Sequence, residues 1–235
     1  MVIWENNLTE QNDRLCSLPL ADIYQKWNCL EMELPSYPST LRNRVFISNV
    51  LGFYLPKNGC ILETASGTGE HLCFFSEEFP LLHWQPSDKS SDLFWAISER
   101  SKNKNNIKEP ISIDLTCKSF KFKKKKFDAV LNINMIHIAP WDACIGLFKL
   151  ASEMVHSNGF VYLYGPFKVG GVHTSASNDR FDASLKERNA AWGVRNIEDV
   201  VKLANGYGFP RFEVHDMPAN NKSIIFKKQG DSFES

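Results

Sequence analysis

Between an apolar run ending at Thr64 and an amphipathic stretch opening at Glu70, the sequence turns through ILETASGTGEH, Ile61 to His71, and that turn restricts the chain more than any other feature. Gly67 and Gly69 have no Cβ, so the backbone there can take positive φ and lie against a ligand, while a helix opening at Glu70 offers unpaired N–H groups. A dinucleotide site wants a third glycine three residues on, and Leu72 stands there instead; the Gly-Lys-Ser/Thr ending of a phosphate loop is missing too. What remains suits a small ligand without phosphates. A purely structural tight turn explains a lone Gly-x-Gly equally well.

The spacing downstream favours the ligand. The next strand-like run, HWQPSD, ends in Asp88, and an acid about 20 residues past the glycines hydrogen-bonds ribose hydroxyls in Rossmann-like sheets. A third run, ISIDL, puts Asp114 at a strand end, where a carboxylate can accept from an adenine amino group. Ala65 in the turn and Leu115 beside Asp114 join this set. S-adenosylmethionine is a ligand of the required kind, and Glu63, closing the first strand, is placed to meet its ammonium group.

At 235 residues and zero formal net charge, one α/β domain with a full core is the default. The 43% hydrophobic and 23% charged content is that of a globular chain. No apolar stretch approaches the ~20 residues of a membrane span, and Met1 to Leu20 lacks the apolar centre of a secretory signal, so the expected address is cytoplasmic. The six cysteines and six histidines show neither CxxC nor HxxxH spacing, so no metal and no disulfide framework is expected. Five lysines in Lys121 to Lys126 read as a solvated loop rather than a nucleic-acid surface.

Residues 1–39, with Pro19, Pro35 and Pro38, read as an N-terminal extension or lid, and residues 40–230 as the domain. From Leu41, RNRVFISNVLGFYL places Val45, Phe46, Val50, Leu51 and Phe53 on one helical face. Strands are expected at Cys60 to Thr64, His83 to Ser87, Ile111 to Ile113, Phe127 to Ile138 and Gly159 to Tyr164. Helices are expected at Glu70 to Glu78, Asp92 to Arg100, Trp141 to His156 and Ile197 to Tyr207. Gly165 to Asn196 is a long connection with a short amphipathic piece near Phe181 to Arg188, and long loops in compact domains are usually functional. Arg211 to Asp216 and Lys222 to Lys228, joined by MPANN, read as a closing hairpin. The alternation predicts a Rossmann-like seven-stranded, mostly parallel sheet with helices on both faces and an antiparallel C-terminal hairpin.

With LRNR at Leu41 to Arg44, ETASGTGEH, WQPSD at Trp84 to Asp88, INMIHIAPW at Ile133 to Trp141, LYGPF at Leu163 to Phe167, FDASL and WGVR within Phe181 to Arg195, and MPANN at Met217 to Asn221, residues 41 to 228 resemble class I S-adenosylmethionine-dependent methyltransferases. More narrowly, they resemble the methyltransferase-like twenty-six family. The resemblance implies a Rossmann-like methyltransferase fold with a cofactor pocket at the carboxyl ends of the strands and no known substrate; the expected activity is methyl transfer to an unspecified, small-molecule acceptor. A non-catalytic cofactor-binding scaffold of the same fold is the alternative.

Methyl transfer from a sulfonium asks the protein to position the acceptor, exclude water and, where needed, take a proton. Asn134, at the end of the fourth strand, is placed to face the methionine portion or the acceptor, although a buried capping amide suits it equally. His137 is a candidate base against a structural reading, and Tyr164 closes the fifth strand. Acceptor contacts are expected from His173 and Asn178 after that strand, from Asn220 and Asn221 in the hairpin, and from Arg42 and Asn43 before the first helix. Phe181, Leu185 and Trp192 read as lid packing.

Overall fold

The computed structural model describes residues 34–117, 119–120 and 126–230. Residues 1–33 and most of the lysine run therefore lie outside the described residues. The strands are β1 (Gly59–Thr64), β2 (Leu82–Asp88), β3 (Ile111–Ser112), β4 (Phe127–Ile133), β5 (Val155–Pro166), β6 (Lys168–Val169), β7 (Val172–His173), β8 (Arg211–Met217) and β9 (Asn221–Lys227). Seven of them form one sheet in the order β3-β2-β1-β4-β5-β9-β8, while β6 and β7 make a separate ribbon. β1 to β5 are parallel, and β9 runs antiparallel to both β5 and β8. The expected fold class is the observed one.

Among the described residues six α-helices complete it: α1 (Pro38–Leu51), α2 (Glu70–Glu78), α3 (Phe94–Ser101), α4 (Trp141–Met154), α5 (Ala176–Arg188) and α6 (Ile197–Gly206). Strand alternation sorts the core into two layers, because successive side chains leave a strand on opposite faces. Leu62, Val130, Val161, Leu163, Ile224 and Phe226 meet Leu147 and Phe148 of α4 and Val200 of α6. On the other face Ile61, Leu131, Tyr162 and Ile225 meet Ile47 and Leu51 of α1 and Leu72 and Phe75 of α2. The sheet is thus covered twice, and its β1/β4 centre carries the turn after β1 at a crevice between the layers.

Three expectations change. In α1 the buried residues are Thr40, Asn43, Ile47, Ser48 and Leu51, whereas Val45, Phe46 and Phe53 are 49%, 45% and 83% exposed. The expected apolar spacing therefore holds at Val50 and Leu51 but not at Val45, Phe46 and Phe53, because the core-facing stripe includes polar residues as well. β4 stops at Ile133, since Asn134 takes φ 64 and starts the short 3-10 turn Met135–His137. The long connection holds the β6–β7 ribbon and a 13-residue helix α5, whose start is capped by Ser175 Oγ accepting from the Asn178 N–H at 3.2 Å. The compact unit that holds the sheet begins at Pro35.

Candidate active site

A cleft of about 580 Å³ opens at the carboxyl ends of β1, β2 and β4, within the range of small-molecule sites. Its floor is the turn after β1. Ala65, Gly67 and Gly69 all have positive φ, at 54°, 53° and 78°. A Cβ on Gly67 would meet nothing within 4 Å, so this stretch of backbone stands bare toward the cleft. Gly69 does not line it; a Cβ there would come within 3.3 Å of the Ile97 backbone, so this glycine lets α2 pack on α3.

The acids take up distinct roles. Asp88 turns toward the glycines and its Oδ2 accepts the Gly67 N–H at 3.0 Å; its Oδ1 keeps only a 3.4 Å contact with the Ser90 N–H. Asp114 accepts from the Thr116 N–H and Oγ1 at 2.9 and 2.7 Å and pairs with Lys89 at 3.1 Å. The Thr116 hydroxyl is the main reason its carboxyl titrates below the usual range. Glu63 is 3% exposed, and its Oε2 has no hydrogen-bond partner. Burial pushes its carboxyl up to about 8, with Asp88 adding in the same sense and the Ser66 hydroxyl opposing.

Glu63, Ala65, Gly67, Asp88, Asp114, Leu115 and Asn134 all line the cleft. A wall not foreseen from the sequence comes from Tyr37 and Thr40, from His71 on α2, and from Ile138 and Trp192. Glu70 straps this wall down: its carboxylate accepts from Ser36 Oγ at 2.6 Å, the Tyr37 N–H at 2.8 Å and Thr68 Oγ1 at 3.2 Å. Burial acts to raise the Glu70 carboxyl, but those donors together with Arg100 hold it below its usual value.

The expected base and acceptor contacts sit elsewhere. His137 is 0% exposed and does not line the cleft; burial first, then the Arg195 charge, lowers its imidazole to about 3. Its Nδ1 accepts the Arg195 N–H at 3.3 Å, while the Arg195 side chain donates to the carbonyls of Ile136 and Ala139. This fastens the 3-10 turn to the loop that carries Trp192. Tyr164 is 4% exposed; burial raises its hydroxyl, against hydrogen bonds from the Asn43 and Asn221 side chains. His173 reaches Asp182 at 3.1 Å. Asn178 Nδ2 is used on Thr174 Oγ1 and on the Asn220 carbonyl, both at 3.0 Å. Arg42 is exposed and apart from the cleft lining. Asn43 reaches the wall indirectly, through a 2.7 Å contact between its Oδ1 and His71 Nε2.

A family model described as a protein of unknown function, DUF938, matches residues 34–228. The chain belongs to the DUF938 family. Among solved structures it is similar to an O-methyltransferase family protein from Burkholderia thailandensis (TM-score 0.69, 13% identity, 82% of this chain and 58% of that one). It is also similar to a putative O-methyltransferase from Nostoc punctiforme PCC 73102 (TM-score 0.65, 12% identity, 81% and 56%). A third is CalO1, a methyltransferase in calicheamicin biosynthesis solved with S-adenosylhomocysteine (TM-score 0.63, 11% identity, 80% and 54%). At such identities the shared property is the fold, that of class I methyltransferases. The DUF938 chain spans little more than half the length of these structures.

Proposed function

We propose that this DUF938 protein binds S-adenosylmethionine in the cleft and methylates a small-molecule acceptor; its resemblance to the methyltransferase-like twenty-six family supports the fold and the cofactor and names no acceptor. The observation that carries the reading is the buried, unpartnered Oε2 of Glu63 beside the bare Gly67 backbone. A carboxylate without a partner is costly in a core, and a ligand ammonium would supply that partner. Gly67 leaves room for the ligand to touch the backbone, Asp88 Oδ1 is placed for ribose hydroxyls, and Leu115 and Ala143 give apolar cover for an adenine.

When bound, that group supplies an activated methyl on a sulfonium. The protein's own part is to orient and to exclude water. Asn134, held with positive φ by its N–H bond to the Tyr164 carbonyl at 2.8 Å, turns the end of β4 into the cleft wall. The Glu70 strap holds Tyr37 in the cleft wall. Calorimetry with S-adenosylhomocysteine tests the binding step, and Glu63→Gln is expected to weaken it by about 1.5–3 kcal/mol, the range for a charged hydrogen bond. Equal affinity in both proteins would remove Glu63 from the site.

The withdrawal of His137 and Tyr164 from the cleft favours the second reading, a cofactor-binding scaffold without turnover. Methyl-labelled S-adenosylmethionine incubated with a metabolite extract separates the two. Label in a new small molecule supports catalysis, and binding without any label transfer supports the scaffold.

A further inference from the structure

His71 is the imidazole that does line the cleft. It sits in the first turn of α2, stacked on Phe75 at 5.8 Å between centroids. Its Nε2 lies 2.7 Å from Asn43 Oδ1. An amide oxygen can only accept, so Nε2 carries the hydrogen and Nδ1 is left with its lone pair. Asn43 is itself held, 8% exposed on the buried face of α1 with its side chain hydrogen-bonded to the Tyr164 hydroxyl. Among the described residues no hydrogen bond is made to Nδ1. The charged groups facing the ring are Glu70 on its own helix and Arg44 on α1; burial, with Arg44 acting in the same sense, outweighs Glu70 and keeps the ring neutral down to about 4.

We propose that Nδ1 of His71 receives the proton of the methyl acceptor, and that the acceptor is an aromatic hydroxyl or thiol. This rests on the methyltransferase reading. In the step, the acceptor's O–H or S–H bond breaks and its proton passes to Nδ1. The electron pair left on the attacking atom forms the bond to the methyl carbon, and the pair of the broken C–S bond stays on sulfur, giving a neutral thioether. A neutral ring this reluctant to take a proton is a weak base, which matches a phenol or aryl thiol better than an aliphatic alcohol. Tyr37, Ile138 and Trp192 on the same cleft wall supply the aromatic and apolar faces that a flat ring needs. Asn43 is the positioning residue, since it fixes the tautomer.

Nitrogen-15 NMR of the histidine rings in the full chain gives a readout independent of turnover. At neutral pH His71 is expected as the Nε2–H tautomer, and Asn43→Leu should shift population toward Nδ1–H. An Nδ1–H or doubly protonated ring in the wild type overturns the assignment. In parallel, methyl-labelled S-adenosylmethionine is incubated with a small-molecule metabolite extract. His71→Phe, which keeps the stack on Phe75, should lower label transfer about 100-fold or more while binding S-adenosylhomocysteine within a few-fold of wild type. Undiminished transfer overturns the base role alone; loss of cofactor binding makes His71 a cofactor contact and also overturns it. Label found only in aliphatic ethers refutes the aromatic acceptor. No transfer by the wild type removes the methyltransferase reading itself.

Discussion

Glu63 gives the most direct handle at the scale of single residues. Its carboxyl is raised from 4.5 to about 8, so between those values the native state keeps a proton that the unfolded chain has released. Stability therefore falls as pH rises through that window and stays lower above it. Without ligand, the melting temperature should drop from pH 5 to pH 8.5, and Glu63→Gln should remove most of that drop. The variant should melt at least about 3 °C above wild type at pH 8.5; identical profiles would show that the carboxyl is not held neutral. Asp182 has the opposite sign. Burial acts to raise it, but Lys186, the Val194 N–H and Lys168 hold it down to about 2. Its contribution is present above about 3.8 and disappears as pH falls toward 2. Asp182→Asn, leaving Lys168 and Lys186 without their acid, should cost about 3 kcal/mol in urea unfolding at pH 7. The same substitution should cost far less at pH 3.

Among the elements, α4 bears on the cleft because Gly146 lets it lie directly on the segment after β3. A Cβ there would fall 1.7 Å from the Leu115 carbonyl oxygen, a backbone atom that cannot swing away. Gly146→Ala should therefore destabilise the fold by about 3 kcal/mol and weaken S-adenosylhomocysteine binding, because Leu115 is cleft wall. Unchanged melting and affinity would mean that α4 has slack here. In α1, Ile47→Ala should cost 2–5 kcal/mol by the usual range for buried residues (~2–5), while Val45→Ser and Phe46→Ser should stay within about 0.5 kcal/mol. The helix was legible in the sequence and only part of its buried face was. Thr40, Asn43 and Ser48 are buried polar residues, and hydrophobic spacing cannot see a polar residue that faces inward to serve a cleft. The end of β4 was hidden for a similar reason: Asn134 breaks the strand by backbone conformation, inside a run whose apolar character continues to Ile138.

Across the whole molecule, the mostly parallel sheet with its closing hairpin and the glycine-and-acid side of the cleft could be read from local patterns. Glycines, strand-end acids and strand spacing are short-range features, and Glu63, Gly67, Asp88 and Asp114 met in space as their strand ends required. The opposite wall could not be read so. Tyr37, His71, Ile138 and Trp192 come from four separate stretches, brought together by the Glu70 strap and by the Arg195 clamp on the 3-10 turn. Nothing in a single sequence window marks such long-range ties, nor that His137, on the turn so fastened, lies outside the cleft lining while His71 lies within it. Titration calorimetry of the full chain with S-adenosylhomocysteine, in wild type and Glu63→Gln, tests the cofactor reading most directly. The expected result is one site of the order of micromolar affinity, about −8 kcal/mol, weakened about tenfold or more by the substitution. No binding heat in the wild type, or the same affinity in both, would contradict it.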